Sequence, residues 1–250
     1  MLIGGRYRAK LAETPEDVLA CQRLRYLAFI EARGLAAAGQ GDRVDEDEFD
    51  AQCRHMMVEE TRSGQLVCCF RILPLESGAE IARSYSAKWY ELDRLKDYPG
   101  RLVGMGRFCI HPAHEHHPAI LGAAWKAMTR YVDEQGVAMI FGCSSFYGVD
   151  ADAYRDAFAL LKEKHLAPKR WLPRVKAPKV VRFARILRLR RPDKAVALRR
   201  MPPLLRTYLS MGGWVSDHAV IDEKLNTLHV FTGIEVARVP EARARQLRRS

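Results

Sequence analysis

Apolar and polar positions alternate along the chain in two rhythms, and the rhythms divide it into elements. Residues 14–33, TPEDVLACQRLRYLAFIEAR, carry Val18, Leu19, Leu24, Leu27 and Phe29 on a helical period. Thr14 stands where an N-cap belongs, Pro15 at the first helical position and Asp17 at the capping-box position, so the stretch predicts a helix that stops at Gly34. A Gly/Ala-rich loop and a run of acids follow, after which HMMVEE and LVCCFRILPL flank the polar TRSGQ, predicting strand, turn, strand. Next come a predicted helix over 80–98, a strand in RLVGMGRFCIHP that enters a histidine-rich loop, and a helix over 118–135 closed by Gly136. VAMIFGCSSF has the unbroken apolar run of a buried strand, and YGVDADAYRDAFALLKEKHL reads as a helix with a proline-rich exit. The final stretch, MPPLLRTYLSMGGWVSDHAVIDEKLNTLHVFTGIEV, predicts a short helix, a glycine pair and two strands. This order makes an α/β chain with a mixed central sheet flanked by helices.

Composition adds limits. With 250 residues, 48% of them hydrophobic, the chain is long enough for one well-buried domain over 1–250. No window approaches an uninterrupted membrane span, and MLIGGRYRAKLAETPEDV has neither the apolar core nor the cleavage site of a secretion signal, so the expectation is a soluble, unexported protein. Six cysteines include no C-x-x-C pair and several lie in strand-like runs, which predicts reduced, buried thiols.

The net charge of +11 is concentrated. Residues 169–200 hold thirteen Lys/Arg against the single acid Asp193, leaving 28 basic and 29 acidic residues elsewhere. Within that segment VVRFARILRLRR interleaves apolar and Arg positions at helical spacing, predicting a basic amphipathic insertion with Arg182, Arg185, Arg188, Arg190 and Arg191 on its surface. A block of like charge repels itself unless a partner neutralises it: a carrier protein, an anionic bilayer or a nucleic acid. No zinc-finger or RRM motif is present, so nucleic acid ranks last, and an amphipathic Arg-rich stretch suits a membrane interface. EARARQLRRS adds a second basic patch at the C-terminal end.

Three clusters carry candidate chemistry. The acids Asp42, Asp45, Glu46, Asp47, Glu48 and Asp50 surround Phe49 and run into His55. Two readings stand: a solvated loop, or carboxylates that face Arg25, Arg71 and Arg107 and hold a zwitterion, one sign for its ammonium and the other for its carboxylate. HPAHEHHP, with His111, His114, Glu115, His116 and His117, follows no zinc spacing, so no metal is expected; its place before a helix N-terminus suits phosphate instead. GCSSF lacks the G-x-S-x-G pattern, which makes it a packed strand end with Ser144 and Ser145 able to line a cleft.

Together QRLRYLAFIEARG, DEDEFDAQCRHMMV, FRILP, GRFCIHP, IFGCSSFYGVD and PPLLRTYLSMGGWVSDHAVID resemble, in order and spacing, the bacterial L-ornithine N-acyltransferases that make lyso-ornithine lipid. The resemblance spans Arg25 to Val236 and implies the N-acetyltransferase-like (GNAT) fold. The first half also resembles acyl-homoserine-lactone synthases at Arg25, Phe29, Asp47, Asp50, Arg71 and Arg107, whereas GCSSF and PPLLRTYL resemble the lipid enzymes. What the resemblance implies is transfer of a 3-hydroxyacyl group, carried on the phosphopantetheine of acyl carrier protein, to the α-amino group of an amino acid, with no bound cofactor. Ornithine is the first acceptor and glutamine a second. The rival implications are a homoserine-lactone synthase and an inactive membrane- or nucleic-acid-binding relative.

Under that resemblance Asp50, Asp47 and Arg107 are the catalytic candidates, and Arg25, Phe29, Glu31, His55, Arg71, Ser144 and Ser145 line the substrate site. The basic segment receives carrier protein or the anionic inner face of the cytoplasmic membrane, which implies a cytoplasmic, peripherally associated protein. The pattern departs from both families at Gly104, where they place a glutamate, so either another acid, Asp50, Asp47 or Glu31, stands in for it or the acceptor differs from ornithine. An amine attacks a thioester directly, so the site needs a proton acceptor for the ammonium and a backbone N–H near the 104–110 strand for the oxyanion.

Overall fold

The computed structural model describes residues 5–36, 43–114 and 117–249. Its elements run β1 (Tyr7–Leu11), α1 (Pro15–Tyr26), β2 (Arg54–Glu60), β3 (Leu66–Leu75), α2 (Tyr85–Trp89), β4 (Tyr90–Glu91), β5 (Arg101–Ile110), α3 (Pro118–Gln135), β6 (Val137–Tyr147) and α4 (Arg155–Lys164). They continue as β7 (Arg174–Val175), β8 (Val180–Val181), α5 (Phe183–Ile186), α6 (Lys194–Arg200), α7 (Pro203–Ser210), β9 (Trp214–Val215), β10 (Ala219–Asp222), β11 (Thr227–Glu235) and α8 (Glu241–Arg249). These group into two compact units, one made of Met1–Pro74, Met105–Gly136 and Arg245–Ser250, the other of Leu75–Gly104 and Val137–Ala244.

In the first unit the strand order is β1-β2-β3-β5. The registers pair Leu11 with Met56 and His55 with Arg71, all antiparallel. A β-bulge between Val58 and Glu59 adjusts the far end of the β2–β3 ladder. Helix α1 starts as its sequence predicts: the Thr14 hydroxyl accepts from the Asp17 N–H at 3.2 Å, while the Asp17 carboxylate accepts from the Glu13 N–H at 3.0 Å. It lays Cys21 and Leu24, with Ala28 of the π-helical turn that follows it, on Met57, Cys69 and Cys109. His55 lies two residues from Met57, and Arg71 two from Cys69, so both share the sheet face that α1 covers. The apolar part of α1 thus covers the apolar part of that face, and its buried polar positions Gln22 and Arg25 meet the polar part.

Helix α3 has the predicted bounds, because both ends are local signals. Pro118 fits the first turn, and Gly136 adopts φ +61° as a left-handed C-cap that a side chain resists. A strand the sequence reading omits, β1, buries Tyr7 and Ala9 while Arg8 and Lys10 pair with Glu59. Helix α8 forms the basic C-terminal stretch, and Arg248 binds Asp133 of α3 through two 2.9 Å hydrogen bonds.

In the second unit the order is β5-β6-β11-β10-β8, with β9 on β11. The β6–β11 ladder is long, from Thr227 opposite Tyr147 to Glu235 opposite Met139. Phe231 stacks on Phe141 and Trp214, and Phe158 on Phe183. Two expectations are corrected here. The predicted helix over 80–98 is broken into a 3-10 turn, the five-residue α2 and the two-residue β4, because Ser84 caps a new helix start and Tyr90–Glu91 turns extended to pair with Val175 and Arg174. The predicted basic amphipathic insertion is not one helix. It is β8, the four-residue α5, a turn and α6, interrupted where Lys162 binds the carbonyls of Leu187, Arg188 and Arg190 and Pro192 follows.

The second unit also buries a histidine pair. His229 is enclosed by Trp89, Tyr90 and His218, and burial, then the neighbouring His218, pushes its pKa down to about 3 from 6.5. The unfolded chain therefore binds a proton that the fold refuses between those values. Stability is full above pH 6.5 and falls as the pH drops toward 3, by on the order of a few kcal/mol. Urea unfolding of the wild type between pH 7 and 4 is expected to show this decline, and His229→Gln to flatten it; equal slopes would show that His229 is not the titrating group. His55, His111 and His165, whose pKa values burial also lowers, add to the decline in both proteins, and Asp50 adds its own as the pH approaches its ordinary value of 3.8, so the difference between the two slopes is what reports His229.

Candidate functional site

The acids of the 45–50 stretch divide by position. Glu46 and Glu48 are exposed, while Asp45, Asp47 and Asp50 turn inward to meet three arginines from three different elements. The ion pairs close into a ring. Arg25 of α1 binds Asp45 at 2.9 Å, Asp45 binds Arg107 of β5 at 3.0 Å, and Arg107 binds Asp47 at 3.1 Å. Asp47 binds Arg71 of β3, Arg71 binds Asp50 at 2.8 Å, and Asp50 returns to Arg25 at 2.7 Å. Gln22 donates to Asp50 at 3.1 Å, and the Phe49 ring lies 6.0 Å from the Arg71 guanidinium.

The ring is graded in exposure. The Arg25 side chain is 0% exposed, Arg71 4% and Arg107 14%. Asp45 and Asp47 share the more open edge with Arg107. The rim thus presents two carboxylates and one guanidinium, with the Arg25–Asp50–Arg71 part forming the floor.

Electrostatics follow from that closure. Burial works to raise the Asp50 pKa, but hydrogen bonds from Arg25 and Arg71 and the Arg25 charge outweigh it and hold the carboxyl far below the ordinary carboxylate range. Asp47 is lowered in the same way, burial being overcome by Arg71 and Arg107. Carboxylates held this low are weak proton acceptors. His55, opposite Arg71, is buried, and burial lowers its pKa, so it stays neutral; its Nε2 lies 3.4 Å from the Asp50 carbonyl oxygen. Burial pushes the nearby Cys53 thiol up to about 11, which keeps it protonated.

Arg107 has an unusual backbone. At φ +53° it is one of two described non-glycine residues in the left-handed region, and it sits inside a strand, between Gly106 and Phe108. Such a residue breaks the regular alternation of β5, and strained backbone of this kind gathers at functional sites. Only the tertiary structure reveals it.

The structure thus brings together Arg25, Asp45, Asp47, Asp50, His55, Arg71 and Arg107 from the residues singled out in the sequence, and adds Gln22. The signal for Gln22 was present, since it lies one helical turn before Arg25. Phe29 is half-buried at the π-helical turn Leu27–Glu31, under Arg33, and the exposed Glu31 pairs with Arg43 at 3.5 Å, outside the ring. Asp42, Glu115 and His116 lie outside the described residues. His117 binds Arg6 at 3.0 Å and stands against Tyr7, and no group of three metal-ligating side chains occurs among the described residues. In the second unit, Ser144 is buried and accepts from Thr232 Oγ1 at 2.9 Å, while Ser145 is exposed, opposite His229. Arg190 is engaged by Asp156, whereas Arg182, Arg185, Arg188 and Arg191 are exposed or partly exposed.

Residues 24–125, a stretch that contains every member of the ring, match the model of an acetyltransferase (GNAT) domain. The protein is an N-acyltransferase on the GNAT fold. The solved structure of a CoA-dependent acyl-homoserine lactone synthase, MesI, is similar in fold, with a TM-score of 0.52 at 13% identity, covering 97% of this chain and 94% of that one. In sequence, the L-ornithine N(alpha)-acyltransferase of Rhodobacter capsulatus is 33% identical over 90% of this chain and 88% of its own length. That of Brucella abortus is 29% identical over 94% of this chain and 86% of its own length. The chain belongs to the L-ornithine N(alpha)-acyltransferase family.

Proposed function

We propose that this protein transfers a 3-hydroxyacyl group from acyl carrier protein to the α-amino group of ornithine, giving a lyso-aminolipid. The observation that carries the acceptor is the open edge of the charge ring: a guanidinium for a carboxylate and two carboxylates for an ammonium, set side by side as an amino acid's opposite charges require. Membership of a family whose relatives are named for ornithine supports the same acceptor. The donor reading is supported by the basic 169–200 segment, which suits an acidic carrier.

In this reading Arg107 takes the acceptor carboxylate and Asp45 and Asp47 hold its side-chain ammonium. Asp50, locked between Arg25 and Arg71, keeps both arginines aimed and takes no proton. The α-ammonium loses one proton to solvent; the free amine then attacks the thioester carbonyl, and the oxyanion is met by backbone N–H groups beside the left-handed Arg107. Collapse breaks the C–S bond, the amine's second proton goes to the departing thiolate, and the products are an amide and a free carrier thiol. Gly104 leaves the position of the families' glutamate without a side chain, which fits a proton passing to water. Phe29 and His55 are assigned to the walls of the substrate site.

The test is to incubate purified protein with 3-hydroxyhexadecanoyl carrier protein and ornithine, glutamine, lysine or glycine, reading products by mass spectrometry. N-acylornithine is expected as the dominant product. Acylglutamine alone would replace the acceptor, intact thioester with all four would remove the reaction, and methylthioadenosine released from added S-adenosylmethionine would point to lactone synthesis.

A further inference from the structure

The basic segment presents more than charge. In α5 and the turn after it, Phe183 and Leu187 point into the second unit, whereas Ile186 is 64% and Leu189 85% exposed. A single exposed leucine needs no explanation. Two aliphatic tips one turn apart, surrounded by Arg182, Arg185, Arg188 and Arg191, do. The guanidinium groups of these four exposed arginines make no hydrogen bond or ion pair among the described residues.

Nor is the turn loosely held. Lys162 Nζ donates to the carbonyls of Leu187 at 2.8 Å, Arg190 at 2.9 Å and Arg188 at 3.3 Å. Arg190 grips both carboxylate oxygens of Asp156 at 3.1 Å, and the Asp193 N–H donates to the same carboxylate at 3.1 Å. Asp193 in turn caps α6 through the Ala195 and Val196 N–H groups. Arg190 therefore belongs to the pedestal, and the pedestal holds Leu189 out in water, its ordering already complete before any partner arrives.

We propose that this turn is a membrane-seating element: Ile186 and Leu189 enter the acyl-chain boundary of an anionic lipid surface while Arg182, Arg185, Arg188 and Arg191 bind its phosphates. Protruding aliphatic tips with cations around them match a bilayer interface, where the tips enter hydrocarbon and the long arginine stems reach back to the headgroups. A protein partner would need pockets shaped to both tips; a fluid bilayer needs none. No helix among the described residues is long and apolar enough to cross a membrane, so the element lies on the surface. The proposal deepens the functional reading above, in which a long-chain product belongs in the bilayer, and its test uses no turnover, so either can fail alone.

Co-sedimentation with phosphatidylglycerol/phosphatidylethanolamine vesicles is expected for the wild type, weakening with salt, and not with phosphatidylcholine vesicles. Ile186→Ser/Leu189→Ser should lower vesicle affinity at least about tenfold with the fold unchanged, since both side chains leave no core. Arg185→Gln/Arg188→Gln should lower it roughly fivefold per charge. The fluorescence of a Leu189→Trp variant should be quenched by lipids brominated along the acyl chain. Wild-type protein that stays in the supernatant, serine variants that bind as tightly as wild type, or a Leu189→Trp variant whose fluorescence the brominated lipids leave unquenched would each overturn the proposal. So would a serine variant that binds vesicles normally but binds acyl carrier protein more weakly in a direct binding measurement, which would hand the surface to the carrier protein.

Discussion

Arg25→Ala is expected to lose about 3–5 kcal/mol of stability, a large fraction of what a folded domain has. The reason is placement. Its guanidinium is fully buried and binds Asp45 and Asp50, so its removal takes one partner from each and leaves three carboxylates facing two positive charges, one of them uncompensated. Arg25→Lys is expected to rescue little, because an ammonium cannot bind both partners with the planar fork that Arg25 uses on Asp50 at 2.7 and 2.9 Å. The Arg6–Glu60 pair is the control: at a similar 3.1 Å but with Arg6 on the surface, Arg6→Ala should change stability by less than about 1 kcal/mol. A further variant, Arg25→Met with Asp50→Leu, should recover part of the loss by removing a stranded charge. Urea unfolding of these variants beside the wild type measures the series. Arg25→Ala unfolding at the wild-type midpoint would mean that the ring carries no structural weight.

Arg107 separates chemistry from stability. Its guanidinium stands at the open edge, so Arg107→Lys is expected to lower kcat/KM by about 10²-fold or more while the protein stays folded. If Arg107 holds the acceptor carboxylate, the Michaelis constant for ornithine should rise and that for the carrier stay the same. Arg107→Gly provides a second view: glycine is at ease at φ +53°, so relief of backbone strain offsets part of the loss of the pairs with Asp45 and Asp47, and activity should fall far more than stability. Wild-type steady-state kinetics in both variants would remove Arg107 from the site.

Much of the first unit was legible along the chain. The alternation and apolar runs of HMMVEE, LVCCFRILPL and RLVGMGRFCIHP become β2, β3 and β5, and Thr14, Pro118 and Gly136 mark helix ends by chemistry that acts within one turn. The three arginines and the acidic run were identifiable as candidates by charge and order. Their arrangement was not, because the Asp47–Arg107 pair joins residues 60 positions apart and only the β3–β5 neighbourhood brings it together. The exposed and inward acids differ by one position in DEDEFD, too fine a distinction for charge alone.

The second unit was harder to read where elements are short. Two-residue strands such as β4 and β7 carry no periodicity of their own, and each exists because the other is there to accept its hydrogen bonds. The basic segment has helical spacing yet forms no continuous helix, since Lys162 and Asp156, both from α4, take its carbonyls and Arg190 for themselves. Forces that act between near neighbours in the chain are therefore enough for the long strands, the capped helices, the concentration of positive charge and the residue types of the site. The closed ring of alternating charges, the left-handed turn at Arg107 and the locked display of Ile186 and Leu189 come from folding. Each of these depends on partners distant in sequence, whose contribution appears only once the chain has closed around them.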